Sequence, residues 1–370
     1  MNSLGAAWRT LAAQPAQMKR KSSHPTLSDV AQRAGVGTTT VSRVINGGKR
    51  VSPKTLARIR AIIDQIGYTP NQAARILKGE RTRTIGLVIP SIADSFFASC
   101  AEAAQRITRA HDSMLVVAVT GNDPHVEMEN INALMRHRAD GLLLAPANSQ
   151  NEALAAFLER TPIPVVCIDR PVTHSGVASV GIDNFKGARI AVEHLVGHGY
   201  RRILCLGGET TLYTIRERLR GYRQAMTAAG LEPMEDMSVK DYKSAEHAIE
   251  SHLAATAPPD AIFTVKNSTT IYAFETLQKM RVDIPKTVAL LGFDDFELAA
   301  TLRPSISVVQ QPIEDIGRTA AELLFTQLPA EQPQGSSRAK RPAPARKTGP
   351  VRLEPLLVLR ESCGCARAAL

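Results

Sequence analysis

The run Gly35-Val36-Gly37-Thr38-Thr39-Thr40-Val41-Ser42-Arg43 lies between two stretches of helical spacing, and its reading decides the fold of the N-terminal part of the chain. Upstream, Thr26-Leu27-Ser28-Asp29 has the form of a capping box, an oxygen-bearing side chain followed three residues later by an acid, which predicts a helix beginning at Leu27. Val30, Ala31 and Ala34 give that helix an apolar face, and Gly35 supplies the backbone freedom for a sharp turn. A second helix is expected from near Thr38, burying Val41 together with Val44 or Ile45. Thr38, Thr39, Ser42 and Arg43 then face outward. Two short helices joined in this way form a helix-turn-helix, and an outward face of small polar groups with one guanidinium suits the major groove of DNA.

A third helix follows with a clear start. Ser52 caps it, Pro53 suits its first position, and Leu56, Ile59, Ile63 and Ile66 form one stripe before Gly67 ends it. Pro70 breaks the chain, and Asn71 caps a last short helix from Gln72 to Leu77. A helix of about six residues is well below the roughly 12 that are marginal alone, so this one needs a partner in order to form.

Thr26-Leu27-Ser28-Asp29-Val30-Ala31, Ala34-Gly35-Val36, Thr40 to Asn46, Val51-Ser52, Gly67-Tyr68-Thr69-Pro70-Asn71 and Ala73 to Leu77 together resemble the DNA-binding head and hinge of the LacI/GalR family of bacterial transcription regulators. The resemblance implies that Thr38 and Thr39 read bases, with Thr40, Ser42, Arg43 and Asn46 on or beside the same helix. It further implies that Asn71, Ala74, Leu77 and Lys78 belong to a DNA-contacting hinge, with Leu77 wedged into the minor groove. Gly37 stands where the family usually has an oxygen-bearing residue.

A chain of 370 residues suggests two or three domains. From Lys19 to Arg83, fourteen Lys and Arg stand against three acids, a local charge of +11 within a total of +10, so the footprint of a polyanionic partner is confined to the head. No stretch approaches the roughly 18 uninterrupted apolar residues of a membrane span, and residues 1 to 17 lack the apolar run of a signal peptide. Met18, immediately before Lys19-Arg20-Lys21, is the expected start. Five cysteines, an odd number with three inside apolar segments, point to a reduced, cytoplasmic protein. Cys363-Gly364-Cys365 suits a metal or a disulfide, yet no second ligand pair lies nearby in sequence, and a terminal tail carrying two thiols is the simpler reading.

From Thr84 onward, nine short apolar runs alternate with helical stretches, the pattern of parallel sheets covered on both faces, and their number requires two such sheets. The expected fold is therefore an N-terminal all-α helix-turn-helix head with a hinge helix, then an α/β core of two doubly wound parallel-sheet lobes. The resemblance implies that this core is like that of the periplasmic sugar-binding proteins, with a ligand between the lobes and three chain crossings, placed near Asp183, near Pro312 and within 327–351. The expected divisions are an extension over 1–23, a DNA-binding domain over 24–70, a hinge and linker over 71–83, and an effector-binding and dimerisation domain over 84–370. Residues 329–350, rich in Pro, Gly, Ser and basic side chains, read as a disordered insert.

Ligand groups are sought at the carboxyl ends of strands. Phe96 and Phe97 follow the first strand, and a ring makes a good wall for the apolar face of a sugar or purine, although one of the two is expected to serve only the core. By resemblance, Arg218 matches the family's ligand-binding arginine, whose fork of donors grips hydroxyls or a carboxylate in two places. Asn267 matches a polar contact, with Ser268 where an Asp usually follows, and Asp294 matches an acid that accepts from the effector, a helix N-cap being the alternative for it. Asp169 and Asp183 sit at other strand ends as weaker candidates, Asp169 with Arg170 as its expected partner.

An enzyme on the same core would need a phosphate loop, a nucleophile elbow or a metal-binding His-Glu-x-x-His, and none occurs. No catalytic residue and no cofactor is expected. An exported solute-binding protein would lack the basic head. The expected partners are a near-palindromic double-stranded operator, a small-molecule effector that is a sugar, a sugar derivative or a purine, and a second copy of the chain, with no membrane.

Overall fold

The computed structural model describes residues 25–45, 51–69, 81–329 and 349–365. The chain divides into two compact units, Met1–Glu80 and Arg81–Leu370.

The first unit holds α1 (Leu27–Ala34), α2 (Thr38–Ile45) and α3 (Pro53–Ile66). The capping box at α1 is closed in both directions: Asp29 N–H donates to Thr26 Oγ1 at 3.3 Å, and Thr26 N–H donates to Asp29 Oδ2 at 2.8 Å. Gly35 ends α1 in the left-handed region, at φ 62°, which turns the chain into α2. Ser52 caps α3 through Thr55 N–H. Val30, Ala31, Ala34, Val41, Val44, Ile59 and Tyr68 form the shared core. Of the stripe expected on α3, Ile59 alone is fully buried, while Leu56, Ile63 and Ile66 pack on its margin, because α3 meets α1 and α2 on one side only. Asn46, Asn71, Ala74, Leu77, Lys78, the N-terminal extension with Met18, and most of the basic insert lie outside the described residues.

The second unit contains two six-stranded sheets with a common plan. The first has β1 (Thr84–Ile89), β2 (Met114–Val119), β3 (Gly141–Leu144), β4 (Val165–Ile168), β5 (Ala178–Ile182) and β11 (Val351–Leu353), in the order β11-β5-β4-β3-β1-β2. The second has β6 (Ile203–Leu206), β7 (Met234–Asp236), β8 (Ala261–Thr264), β9 (Ala289–Phe293), β10 (Ser307–Gln310) and β12 (Leu356–Val358), in the order β12-β10-β9-β8-β6-β7. Neighbouring strands run parallel except β10 and β12. Strands β3, β4, β6, β8 and β9 are buried along their whole length, as expected where helices cover both faces of a sheet. The strands not anticipated, β7, β11 and β12, have three residues each and lie at or next to sheet edges, too short for a periodic signal.

The connecting helices of the first lobe are α4 (Ser95–Ala110), α5 (Pro124–Arg136) and α6 (Glu152–Arg160). Those of the second are α8 (Tyr213–Ala228), α9 (Tyr242–Leu253) and α10 (Asn267–Lys279). Two helices change lobe. After β5, α7 (Asn184–Gly197) packs on the second sheet and against α8; after β10, α11 (Ile313–Gln327) packs on the first sheet and against α4. The crossings at Asp183 and Pro312 therefore stand as expected, but the third is displaced. Since α11 and β11 both belong to the first lobe, the chain makes its last crossing at Glu354-Pro355, between β11 and β12, and not within 327–351.

Candidate effector site and DNA-reading face

A cavity of about 250 Å³ lies between the two lobes, lined by residues just past the carboxyl ends of their strands. Pro90, Ser91, Asp94, Phe96 and Phe97 come from the segment after β1, and Asn122 from that after β2. Asp169 and Arg170 follow β4. Across from them stand Glu209 and Leu212 after β6, Thr214, Ile215 and Arg218 on α8, Lys266 after β8, Asp294 after β9 and Gln311 after β10.

Arg218 is held on three sides. Its Nε donates to Asn184 Oδ1 at 2.8 Å, while Nη1 donates to Val265 O at 2.8 Å and to Asp294 Oδ2 at 2.9 Å. The guanidinium carbon sits 3.7 Å from the Phe293 ring centroid, so the cation also rests on an aromatic face. Asp294 is completed by Gln311, whose Nε2 donates to Oδ1 at 2.5 Å. Nη2 of Arg218 has no hydrogen bond among the described residues, which leaves one edge of the fork for a ligand.

Lys266 Nζ pairs with Glu209 Oε2 at 3.1 Å. On the first lobe, Arg170 is almost wholly buried, and its Nε lies 3.1 Å from Asp169 Oδ2. That approach lacks hydrogen-bond alignment, and Nε and Nη1 of Arg170 find no acceptor among the described residues. Burial raises the pKa of Asp169 against the pull of Arg170 and Arg218. Burial likewise raises that of Asp94, the N-cap of α4, with Asp294 adding to the effect.

The structure brings together Phe96, Phe97, Arg218 and Asp294. Both phenylalanines line the cavity, edge to face at 5.0 Å between centroids, and both are also buried in the core, so neither serves the core alone, as was expected of one of them. Asp294 caps no helix, because the residues after it form turns; its backbone is left-handed at φ 72°. Asn267 is not among the lining residues. It opens α10 with its Oδ1 accepting from Ser268 N–H at 2.7 Å, and the preceding Lys266 takes the wall position. The short strand β8 ends at Thr264, so the residue that turns into the cleft comes one place earlier than the motif suggested. Lys266 and Glu209 were not among the residues expected at the site, and Arg170 was expected only as the partner of Asp169; what marks them is their place on the cavity wall, Arg170 buried and the other two paired across its rim.

In the separate N-terminal unit, Thr38, Thr39 and Arg43 of α2 are exposed and Thr40 and Ser42 half-buried, while Val41 and Val44 face the core. One side of α2 is thus built from hydroxyls, methyls and a guanidinium, the groups that read base edges and phosphates.

Residues 26–71 match the model of the bacterial regulatory proteins of the lacI family, and residues 82–345 match that of the periplasmic binding proteins and sugar binding domain of the LacI family. The ribose operon repressor of Haemophilus influenzae is 30% identical over 340 residues, spanning 91% of this chain and 98% of that one. The transcriptional regulator CelR, solved as its cellobiose complex, is 30% identical with a TM-score of 0.62, over 92% of this chain and 100% of the other. The lac repressor dimer bound to operator shares the fold, with a TM-score of 0.80 over 92% of this chain and 99% of that one, at 24% identity. Among the described residues no helix is long and apolar enough to cross a membrane. The reading face, the cleft between two like-built lobes and these matches converge: the chain belongs to the LacI family of bacterial regulatory proteins, DNA-binding repressors whose hold on an operator is controlled by a small molecule.

Proposed function

We propose that the effector of this regulator is a small polyhydroxylated molecule, a monosaccharide or sugar derivative, held between the lobes by Arg218, Asp294, Asp169, Arg170 and Lys266 against the Phe96 and Phe97 rings. The observation that carries this reading is the set of three acid–base pairs around one cavity: Asp169 with Arg170, Asp294 with Arg218, and Glu209 with Lys266. A hydroxyl donates one hydrogen bond and accepts others, so a carboxylate and a cation side by side satisfy both functions of each hydroxyl. A purine presents donors and acceptors at separate ring atoms and would leave part of each pair unanswered, although the two phenylalanines offer it a wall.

The chain acts by binding, without turnover, in the bacterial cytoplasm where its operator lies. Two copies present two α2 helices to successive major grooves of a near-palindromic site, with Thr38 and Thr39 reading bases. Leu77 serves as the wedge that opens a base step, and effector closure of the cleft changes how tightly the operator is held. A coupling of roughly 1 to 3 kcal/mol is enough to switch occupancy, and it acts equally on effector affinity when DNA is bound.

The test is calorimetric titration of the full chain with pentoses, hexoses, sugar acids and nucleobases, followed by operator binding with each ligand that binds. A sugar or sugar derivative that binds and shifts operator affinity is the expected result. Binding confined to nucleobases would overturn this reading.

A further inference from the structure

The pair Cys363-Gly364-Cys365 lacked a partner pair in the sequence; the fold supplies one. His194 in the last turn of α7 and His198, which caps its C-terminus in helical conformation, are four residues apart, so both rings leave the same face. Their Nε2 atoms point at the two sulfurs: His194 Nε2 lies 3.4 Å from Cys363 Sγ and 3.5 Å from Cys365 Sγ, and His198 Nε2 lies 3.3 Å from Cys365 Sγ. The ligand atoms of His194, His198 and Cys365 all fall within 4.8 Å of one another. A tetrahedral zinc ion with bonds of about 2.3 Å to sulfur and about 2.0 Å to nitrogen has sulfur-to-nitrogen edges of roughly 3.5 Å, the separation of these three pairs; Cys363 reaches the group through His194.

We propose that His194, His198, Cys363 and Cys365 form a structural zinc site. On binding, the two thiols lose their protons to solvent and the two imidazoles coordinate as neutral rings, with no change of oxidation state. Four protein ligands close the coordination sphere, which distinguishes a structural from a catalytic site. The surroundings support the two sulfurs in place. Gly364 adopts φ 91°, and a Cβ there would come within 2.8 Å of the Tyr200 hydroxyl, so the residue between the cysteines is required to be glycine. Ser307 Oγ, at 3.1 Å, donates to Cys363 Sγ, and a hydrogen bond of this kind steadies a metal thiolate.

The site lies away from the effector cavity. Tyr200 precedes β6 and Ser307 opens β10, so the cluster sits at the amino-terminal edge of the second sheet, whereas the cavity collects the carboxyl ends. A metal here ties the C-terminal segment, which supplies β11 to one sheet and β12 to the other, onto α7 across 169 residues of chain.

The experiment uses the untagged full chain, purified anaerobically from zinc-containing medium, and measures metal by mass spectrometry. About one zinc per chain surviving dialysis is expected, and exchange into Co²⁺ is expected to give the intense ligand-field absorption of a tetrahedral site with a thiolate-to-cobalt charge-transfer band. Chelation should lower the melting temperature and zinc restore it. The double variant H198A/C365S changes the two more accessible ligands and should fold yet hold almost no zinc. Retention of metal by that variant equal to the unaltered chain, a weak octahedral cobalt spectrum, no bound metal, or a mass lower by two hydrogen atoms from a Cys363–Cys365 disulfide would each overturn the proposal.

Discussion

Asp169 and Asp294 occupy equivalent positions in the two lobes. Each follows the third strand in its sheet order, β4 or β9, in a left-handed conformation, at φ 67° and 72°. Each backbone N–H donates at 2.9 Å to a carbonyl of the adjacent strand, Val180 for one and Val309 for the other. Each carboxylate then meets a guanidinium, at 3.1 Å and 2.9 Å. The origin of the arginine breaks the symmetry: Arg170 is the next residue in the chain, whereas Arg218 comes from α8. The second lobe therefore joins three segments at its acid, and the first lobe only one.

This asymmetry makes Arg218 the more costly residue to lose. Replacing Arg218 with Met leaves Asp294 buried with Gln311 as its remaining side-chain partner, and removing one member of a buried pair costs about 3–5 kcal/mol. Denaturant unfolding should show that loss, and the additional change Asp294→Asn should recover part of it. Operator binding by the R218M chain should survive while its response to effector disappears.

Glu127 on α5 sets a pH dependence outside the cavity. It is buried, with Oε2 accepting from Ala147 N–H at 2.6 Å and Oε1 unpartnered among the described residues. Burial pushes its pKa from 4.5 up to about 7, against the Ala147 amide and Arg170. A carboxyl raised in the folded state contributes stability that is fully present below the unfolded value and lost as pH rises through the folded one. Between pH 4.5 and about 7 the protein should therefore lose stability relative to the variant Glu127→Gln. The gap should reach roughly 3 kcal/mol and stay level above that range, as read by denaturant unfolding at a series of pH values.

Gly221 governs how closely α8 approaches α7. A Cβ there would stand 2.2 Å from Phe185 O and 3.0 Å from Ala188 Cβ, both on α7. Gly221→Ala should separate the helices and destabilise the chain by about 1–3 kcal/mol, as overpacking does. The same shift lengthens the Asn184–Arg218 hydrogen bond, so effector affinity should fall alongside the melting temperature. Calorimetry on the folded variant checks this.

For the head, Thr38→Gln and Thr39→Asn should redirect base preference toward adenine at the contacted positions, by about 1–3 kcal/mol per base pair, with a smaller change in overall affinity. Selection of binding sites from random duplexes measures it. An unchanged preference would remove these threonines as readers.

The head was legible almost residue by residue because its determinants are local. The capping box at Thr26 and Asp29, the turn at Gly35 and the start at Ser52-Pro53 act within a few residues of one another, and a sequence displays them directly. The alternation after Thr84 displayed the two sheets for a similar reason, since strands buried on both faces must be apolar throughout. Strands of three residues such as β7 and β11 carry too little periodicity to be seen.

What the sequence by itself determined was thus the helix-turn-helix, the two parallel sheets, two of the three crossings and the arginine and acid of the cleft. Only the tertiary structure decided that Lys266 rather than Asn267 faces the cavity, that Arg170 is buried with unanswered donors, that the last crossing falls at Glu354-Pro355, and that His194 and His198 meet Cys363 and Cys365. The physical reason is range. Caps, turns and apolar periods are settled by neighbours along the chain, whereas these contacts depend on where the chain returns after as many as 171 residues, and that is set by the packing of whole lobes.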